Sequence, residues 1–173
     1  MPRVHFVQSA RKARPEIGLE VGGSYYYWSF RYGGTHRSVN YPRPSQLTQA
    51  KYAPLLDFEH DRPEHEYAED EAASTLVAAA EDMIAYLENY RDQAEEIAAE
   101  YEEAAEHFGG QGEHQERADT LQDWVSQLED AVSELERAKE ALSEDAAAEE
   151  SVERREELCA ALSAAGELAG PEL

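Results

Sequence analysis

Arg11, Lys12 and Arg14 stand within four residues of one another, and a short spacer separates them from the aromatic run Tyr25-Tyr26-Tyr27-Trp28-Ser29-Phe30-Arg31-Tyr32. Guanidinium and ammonium groups combine fixed positive charge with several N–H donors, which is the chemistry that holds phosphate. Flat aromatic rings offer stacking platforms to nucleobases. The pairing continues beyond the run at His36, Arg37 and Arg43. The candidate anion-contacting set is therefore Arg11, Lys12, Arg14, Tyr25, Tyr27, Arg31, His36, Arg37 and Arg43. A plainer account stands beside it: a small module needs every aromatic ring it can bury, so the tyrosines do no more than cover a sheet.

Other chemistry is thinner. Glu59-His60-Asp61 and Glu64-His65-Glu66 bring carboxylates and imidazoles together, but their spacing matches no metal loop and Pro63 divides them, so a solvated charged linker is the expectation. Cys159 is the single cysteine, which excludes an internal disulfide and a multi-cysteine zinc site; its apolar helical position suits a buried, inert thiol. No Gly-rich phosphate loop opens a helix, and there is no nucleophile elbow and no His-Glu-x-x-His pair. The expectation is a protein that is not an enzyme and carries no cofactor.

The elements that must position the cationic and aromatic residues lie in the first 52 residues. This segment holds eight Lys and Arg against two Glu, a net +6, whereas residues 53–173 hold seven basic residues against thirty-six acidic ones, a net −29. The division suggests a basic, anion-binding head on an acidic body. Six of the chain's sixteen aromatic residues fall in positions 25–32, and Gly33-Gly34 follows them. An aromatic run, a two-glycine break and a return through Thr35–Tyr41 predict a β-hairpin with a two-residue primed turn. That register sets Tyr32 opposite Thr35, Phe30 opposite Arg37, Trp28 opposite Val39 and Tyr26 opposite Tyr41. Tyr26, Trp28, Phe30, Val39 and Tyr41 then form an inward stripe. Tyr25, Tyr27, Ser29 and Arg31 beside His36, Ser38 and Asn40 form the outward face. A slip of one residue would exchange the roles. Val4-His5-Phe6-Val7 is a further β-prone run. Pro42-Arg43-Pro44 ends the sheet, and Ser45 is placed to cap a short helix over 46–51.

The order Ala10-Arg11-Lys12-Ala13, then Ile17, then Gly23-Ser24 leading into the aromatic run and Gly33-Gly34, then Pro42-Arg43-Pro44-Ser45-Gln46-Leu47-Thr48 resembles the opening of small phage-type proteins with a zinc-ribbon-like N-terminal module. The likeness covers about 45 of the 173 residues. It implies two strands held by one cysteine pair before the aromatic strand and another after the return strand. Arg14-Pro15-Glu16 and Asn40-Tyr41-Pro42 stand where those pairs would be. The resemblance therefore transfers no zinc ligand, and packing must hold the module together.

Residues 53–71 read as an acidic linker, with Leu55, Leu56 and Phe58 as candidates to dock it on the head. Residues 72–168 read as an acidic helical body and 169–173 as a tail. Leu76, Ala80, Met83, Leu87, Tyr90, Ala94, Ile97, Tyr101, Ala104 and Phe108 follow at alternating steps of four and three, a heptad seam on a helix of roughly 55 Å. His107-Phe108-Gly109-Gly110-Gln111-Gly112 breaks it. Leu121, Val125, Leu128, Val132, Leu135, Lys139 and Leu142 continue the period on a second helix, and Val152, Leu158, Cys159, Leu162 and Ala165 mark a third helix or a bent continuation. Tyr90, Tyr101 and Trp124 are expected in the core. Because two alanine-rich helices make a thin core, a third helix or dimerisation is expected. The fold class is α+β, mainly α: a small N-terminal antiparallel β-hairpin module, then an antiparallel helical hairpin, coiled coil or three-helix body.

With no signal-peptide apolar segment and no apolar run of about 18 residues, a cytoplasmic chain without a membrane span is expected. Three functions fit. The first is a phage-type accessory protein whose basic head binds nucleic acid or an anionic surface and whose body mediates protein contact or homo-oligomers. The second is an anti-defence or transcription-modulating inhibitor that binds a host protein through acidic helices mimicking nucleic acid. The third is a structural coiled-coil spacer.

Overall fold

The computed structural model describes residues 1–63, 72–107, 112–144 and 150–173. The chain divides into two compact units, Met1–Ala53 and Pro54–Leu173. It is an α+β protein, mainly α, as its residue patterns predict.

The N-terminal unit is built on a three-stranded antiparallel sheet, β1 (His5–Val7), β2 (Tyr25–Ser29) and β3 (Thr35–Ser38), in the order β1-β2-β3. The aromatic strand is thus the central one, where its rings have neighbours on both sides. The register places Tyr27 between His5 and Arg37, Tyr25 against Val7, Trp28 against His36, and Tyr26 between Phe6 and Ser38. This differs from the expected hairpin. Phe30-Arg31-Tyr32-Gly33-Gly34 forms a five-residue loop closed by Gly33 N donating to Phe30 O at 3.3 Å. Neither Gly33 nor Gly34 has a positive φ, so the primed turn that would have fixed the shorter connection is absent. Gly33 instead answers a close approach, since a Cβ there would stand 3.0 Å from the Gln49 amide nitrogen and 3.2 Å from Phe30 Cβ. The pairing has moved by an odd number of residues, which exchanges the faces of the return strand.

Trp28 anchors one face. It is 3% exposed, and its indole Nε1 donates to Gln46 O at 2.9 Å. That carbonyl belongs to a 3-10 turn, Pro44–Leu47. The turn is capped at Arg43, two residues before the expected Ser45, and ends at Leu47 rather than 51, because Pro44 already supplies the helical φ and Arg43 N donates to Gln46 Oε1 at 3.1 Å. Phe30 is only half-buried and Tyr41 is 63% exposed, so the expected inward stripe contracts to Trp28 with partial cover of Tyr26.

The second unit is a bundle of three helices, α2 (Ala73–His107), α3 (Glu113–Glu144) and α4 (Glu150–Gly166), preceded by the four-residue α1 (Phe58–Asp61). Lys139 Nζ lies 3.9 Å from Glu81, and Tyr101 stacks at 5.8 Å on His114, so α2 and α3 run antiparallel. Arg137 lies 3.6 Å from Glu157, and α4 folds back along α3 and touches α2. The third helix is therefore a separate, returning one. From Leu76 to Tyr101 every seam residue of α2 is buried, together with Ile84, Ala98 and Ala105. On α3 the buried positions include Ala118, Leu121, Trp124, Leu128, Val132, Leu135, Ala138 and Leu142. Trp124 and Ala138 are buried where Val125 and Lys139 were expected; α3 packs against α4 as well as α2, so its buried face is wider than a two-helix seam. Tyr90, Tyr101 and Trp124 are in the core as expected.

The segment before the bundle belongs to it. Leu55 is fully buried and Phe58 is 1% exposed. The Phe58 ring stands 5.1 Å from Tyr86, 5.1 Å from Tyr90 and 5.0 Å from Trp124. Phe58, expected to dock on the head, packs instead among the three aromatic rings of α2 and α3. Arg62 donates to the Gly166 and Leu168 carbonyls, closing the end of α4 with a cation where the helix dipole is negative. Trp124 Nε1 donates to Ala169 O at 2.9 Å, so the chain after α4 is held as well.

Candidate anion-binding site

The basic loop is held by the backbone around it. Ala10 N donates to Gly23 O at 2.8 Å and Gly22 N to Ala10 O at 2.9 Å. Arg14 and Leu19 exchange both backbone bonds, at 2.7 and 3.0 Å, around the 3-10 turn Pro15–Ile17. Gly18 closes that turn at φ 67°, a left-handed conformation that a Cβ would strain. Buried Ala10 and Leu19 pin the base of the loop. Arg11, Lys12 and Arg14 are thereby presented on a short arch rather than on a free tail.

Beneath this arch lies a cleft of about 450 Å³, lined by Arg11, Lys12, Arg14 and Tyr25 together with Val7, Ser9 and Ala10. Arg14 lies over the Tyr25 ring, its Cζ 5.9 Å from the centroid, and also stands 3.6 Å from Glu16. Among the described residues no carboxylate pairs with Arg11, Lys12 or Arg37. Two uncompensated cations facing a concave, partly apolar wall favour an anion that carries a flat or apolar portion.

The sheet face that continues from the cleft carries Tyr25, Tyr27 and Ser29 on β2, His5 on β1, and Thr35 and Arg37 on β3. Tyr27 stacks on His5 with centroids 4.8 Å apart and planes 12° from parallel, and Tyr25 lies 6.4 Å from Tyr27. Arg37, half-buried, is the cross-strand partner of Tyr27.

Of the nine residues singled out by type, Arg11, Lys12, Arg14 and Tyr25 meet in the cleft, and Tyr27 and Arg37 share the adjoining face. The other three lie elsewhere. His36 was expected on the wet face but stands on the Trp28 face, stacked on Trp28 at 5.7 Å and edge-on to Phe30 at 5.5 Å, a direct consequence of the register. Arg31 sits in the exposed loop with its Cζ 5.3 Å from the Tyr32 centroid. Arg43 opens the turn that covers Trp28. His5, Val7 and Ser9 were not among the candidates; the alternation of Val4-His5-Phe6-Val7 was the only signal for the first two and does not say which strand they join, and Ser9 had none.

Among the described residues, no group of three or more His, Cys, Asp or Glu is placed to hold a metal ion; Glu64-His65-Glu66 lies outside them. No described helix is long and apolar enough to cross a membrane. Comparison with protein-family models, with curated proteins and with solved structures yields no match.

Proposed function

We propose that this is a non-enzymatic, phage-type accessory protein whose N-terminal unit binds nucleic acid and whose acidic helical unit contacts protein. The observation that carries the reading is the cleft in which Arg11, Lys12 and Arg14 converge on Tyr25, on the only part of the chain with net positive charge. Phosphate is the anion that such a cluster meets repeatedly on a polymer, and counterion release makes the resulting affinity fall with salt.

A filter-binding titration of the full chain checks it. Binding at low salt, with log K falling against log salt at a slope of roughly −2 to −3 for three neutralised phosphates, is the expected result. The double substitution Arg11→Ala with Lys12→Ala should bring that slope down by about 1.5 to 2. Absence of binding at low salt, or a double variant that binds as the parent does, sinks the reading.

The helical unit supports a second reading, inhibition of a host DNA-binding protein by charge mimicry. Its motive is the run of exposed carboxylates on α2, among them Glu81, Asp82, Asp92, Glu95, Glu96, Glu102, Glu103 and Glu106. Pull-down from host lysate separates the two: a single DNA-binding protein recovered by the parent, and lost when these carboxylates are made amides, favours mimicry.

A further inference from the structure

We infer that the nucleic acid taken by the N-terminal unit is single-stranded, with a phosphate in the cleft and neighbouring bases on the Tyr25 and Tyr27 rings; the inference rests on the nucleic-acid reading above. The spacing of the rings decides the form. Tyr25 and Tyr27 are 6.4 Å apart, nearly twice the rise of about 3.4 Å per nucleotide along one strand of a stacked duplex. Adjacent bases therefore reach both rings only when they are unstacked from each other. The rings are also tilted by 42°, so each base must be free to turn by itself. A paired duplex meets neither condition, because its bases are stacked on one another and turned inward.

The remaining geometry agrees. Tyr27 is held in place by its stacked neighbour His5 and remains partly open to solvent, with Arg37 as its partner on the other strand. Tyr25 is steadied in the same way by Arg14. Arg11 and Lys12 stand at the Tyr25 end of this pair and Arg37 beside Tyr27, so positive charge flanks the two rings along β2. A cleft of about 450 Å³ lies within the range of small-ligand pockets, suited to one nucleotide unit rather than to the convex edge of a double helix. Stacking of this kind tolerates any base, so little sequence preference is expected.

Fluorescence anisotropy of the full chain tests this, with a labelled twelve-residue oligothymidylate and a blunt duplex of equal length carrying the same label. The oligothymidylate should bind more tightly than the duplex by at least about fivefold, the lower end of what one stacked base contributes. Tyr25→Leu and Tyr27→Leu should each weaken single-strand binding by about 5- to 150-fold, a larger loss than for the duplex, whereas Tyr25→Phe, which keeps the ring, should retain single-strand binding. Circular dichroism and the emission of buried Trp28 report whether the variants fold. Duplex binding equal to or tighter than single-strand binding, or leucine variants that are folded and unaffected, overturns this inference and leaves nucleic-acid binding standing. Failure of both probes to bind at low salt overturns the two together.

Discussion

Trp28 and Tyr90 show how much single polar atoms decide in a chain with so little core. The indole of Trp28 is buried and its one donor is satisfied by Gln46 O. Replacing it by Phe leaves that carbonyl short of a partner and should cost about 1–3 kcal/mol, visible as faster hydrogen exchange across β1 and β2. Tyr86 and Tyr90 donate to Phe58 O and to Asp61 Oδ2 respectively. Burial raises the pKa of both phenols above the ordinary value near 10; nearby Asp61 adds to the rise at Tyr90, while Arg62 opposes it at Tyr86. The folded chain thus keeps protons that the unfolded chain releases from about pH 10. The stability these phenols contribute is whole below that pH and is lost as pH rises beyond it. Urea midpoints should fall between pH 9 and 11.5, and Tyr86→Phe with Tyr90→Phe should start lower and fall less steeply. An equally steep fall in the double variant would exclude these groups as the cause.

At the scale of elements, α1 is the clearest case of structure made by docking. Four residues cannot hold a helix alone, because nucleation costs more than a single turn returns. Leu55 and Phe58 seat it, and Arg62 ties it to the end of α4. Phe58→Ala should destabilise the helical unit by about 3–5 kcal/mol in urea unfolding, since three rings around it would line a void. A loss under about 1 kcal/mol would mean the rings collapse into the space. Leu128→Ala, at a fully buried seam position between the long helices, should cost about 2–5 kcal/mol by the same measure. Lys139 illustrates the opposite: although it falls on the strict heptad, it leaves the seam to Ala138 and reaches Glu81 at the rim.

Across the whole molecule the dominant fact is charge segregation, +6 on residues 1–52 against −29 on the rest. Few cations on the helical unit answer its carboxylates, so self-repulsion opposes its compact state. Because exposed charges are screened within about 10 Å at 0.1 M salt, moving from 10 to 300 mM sodium chloride should raise the melting temperature of the helical signal by about 2–6 °C. A melting temperature unmoved or lowered by salt would show that repulsion is not the limiting term. On the proposed nucleic-acid reading the same salt should weaken binding, so the two measurements should move in opposite directions.

The residue pattern alone determines the class of fold, the two long helices, most of the α2 seam, the charge division and the cationic and aromatic residue types. These are local or additive properties: helical period, strand propensity and net charge need no knowledge of what packs against what. The face on which each hairpin residue lies was not legible, because it depends on the connection between the strands. The crowding of Gly33 by Gln49 and Phe30 goes with a five-residue loop where Gly33-Gly34 alone suggested a two-residue one. One odd shift of register then carried His36 to Trp28 and set Arg37 beside Tyr27. Nor could the seating of Phe58 among Tyr86, Tyr90 and Trp124 be read, since those partners are up to 66 residues away. The cleft itself is a product of the tertiary structure: Arg11, Lys12 and Arg14 were visible as a charge cluster, but the backbone bonds of Ala10 to Gly22 and Gly23, and of Arg14 to Leu19, set them around one cleft with Tyr25, with Arg14 over its ring.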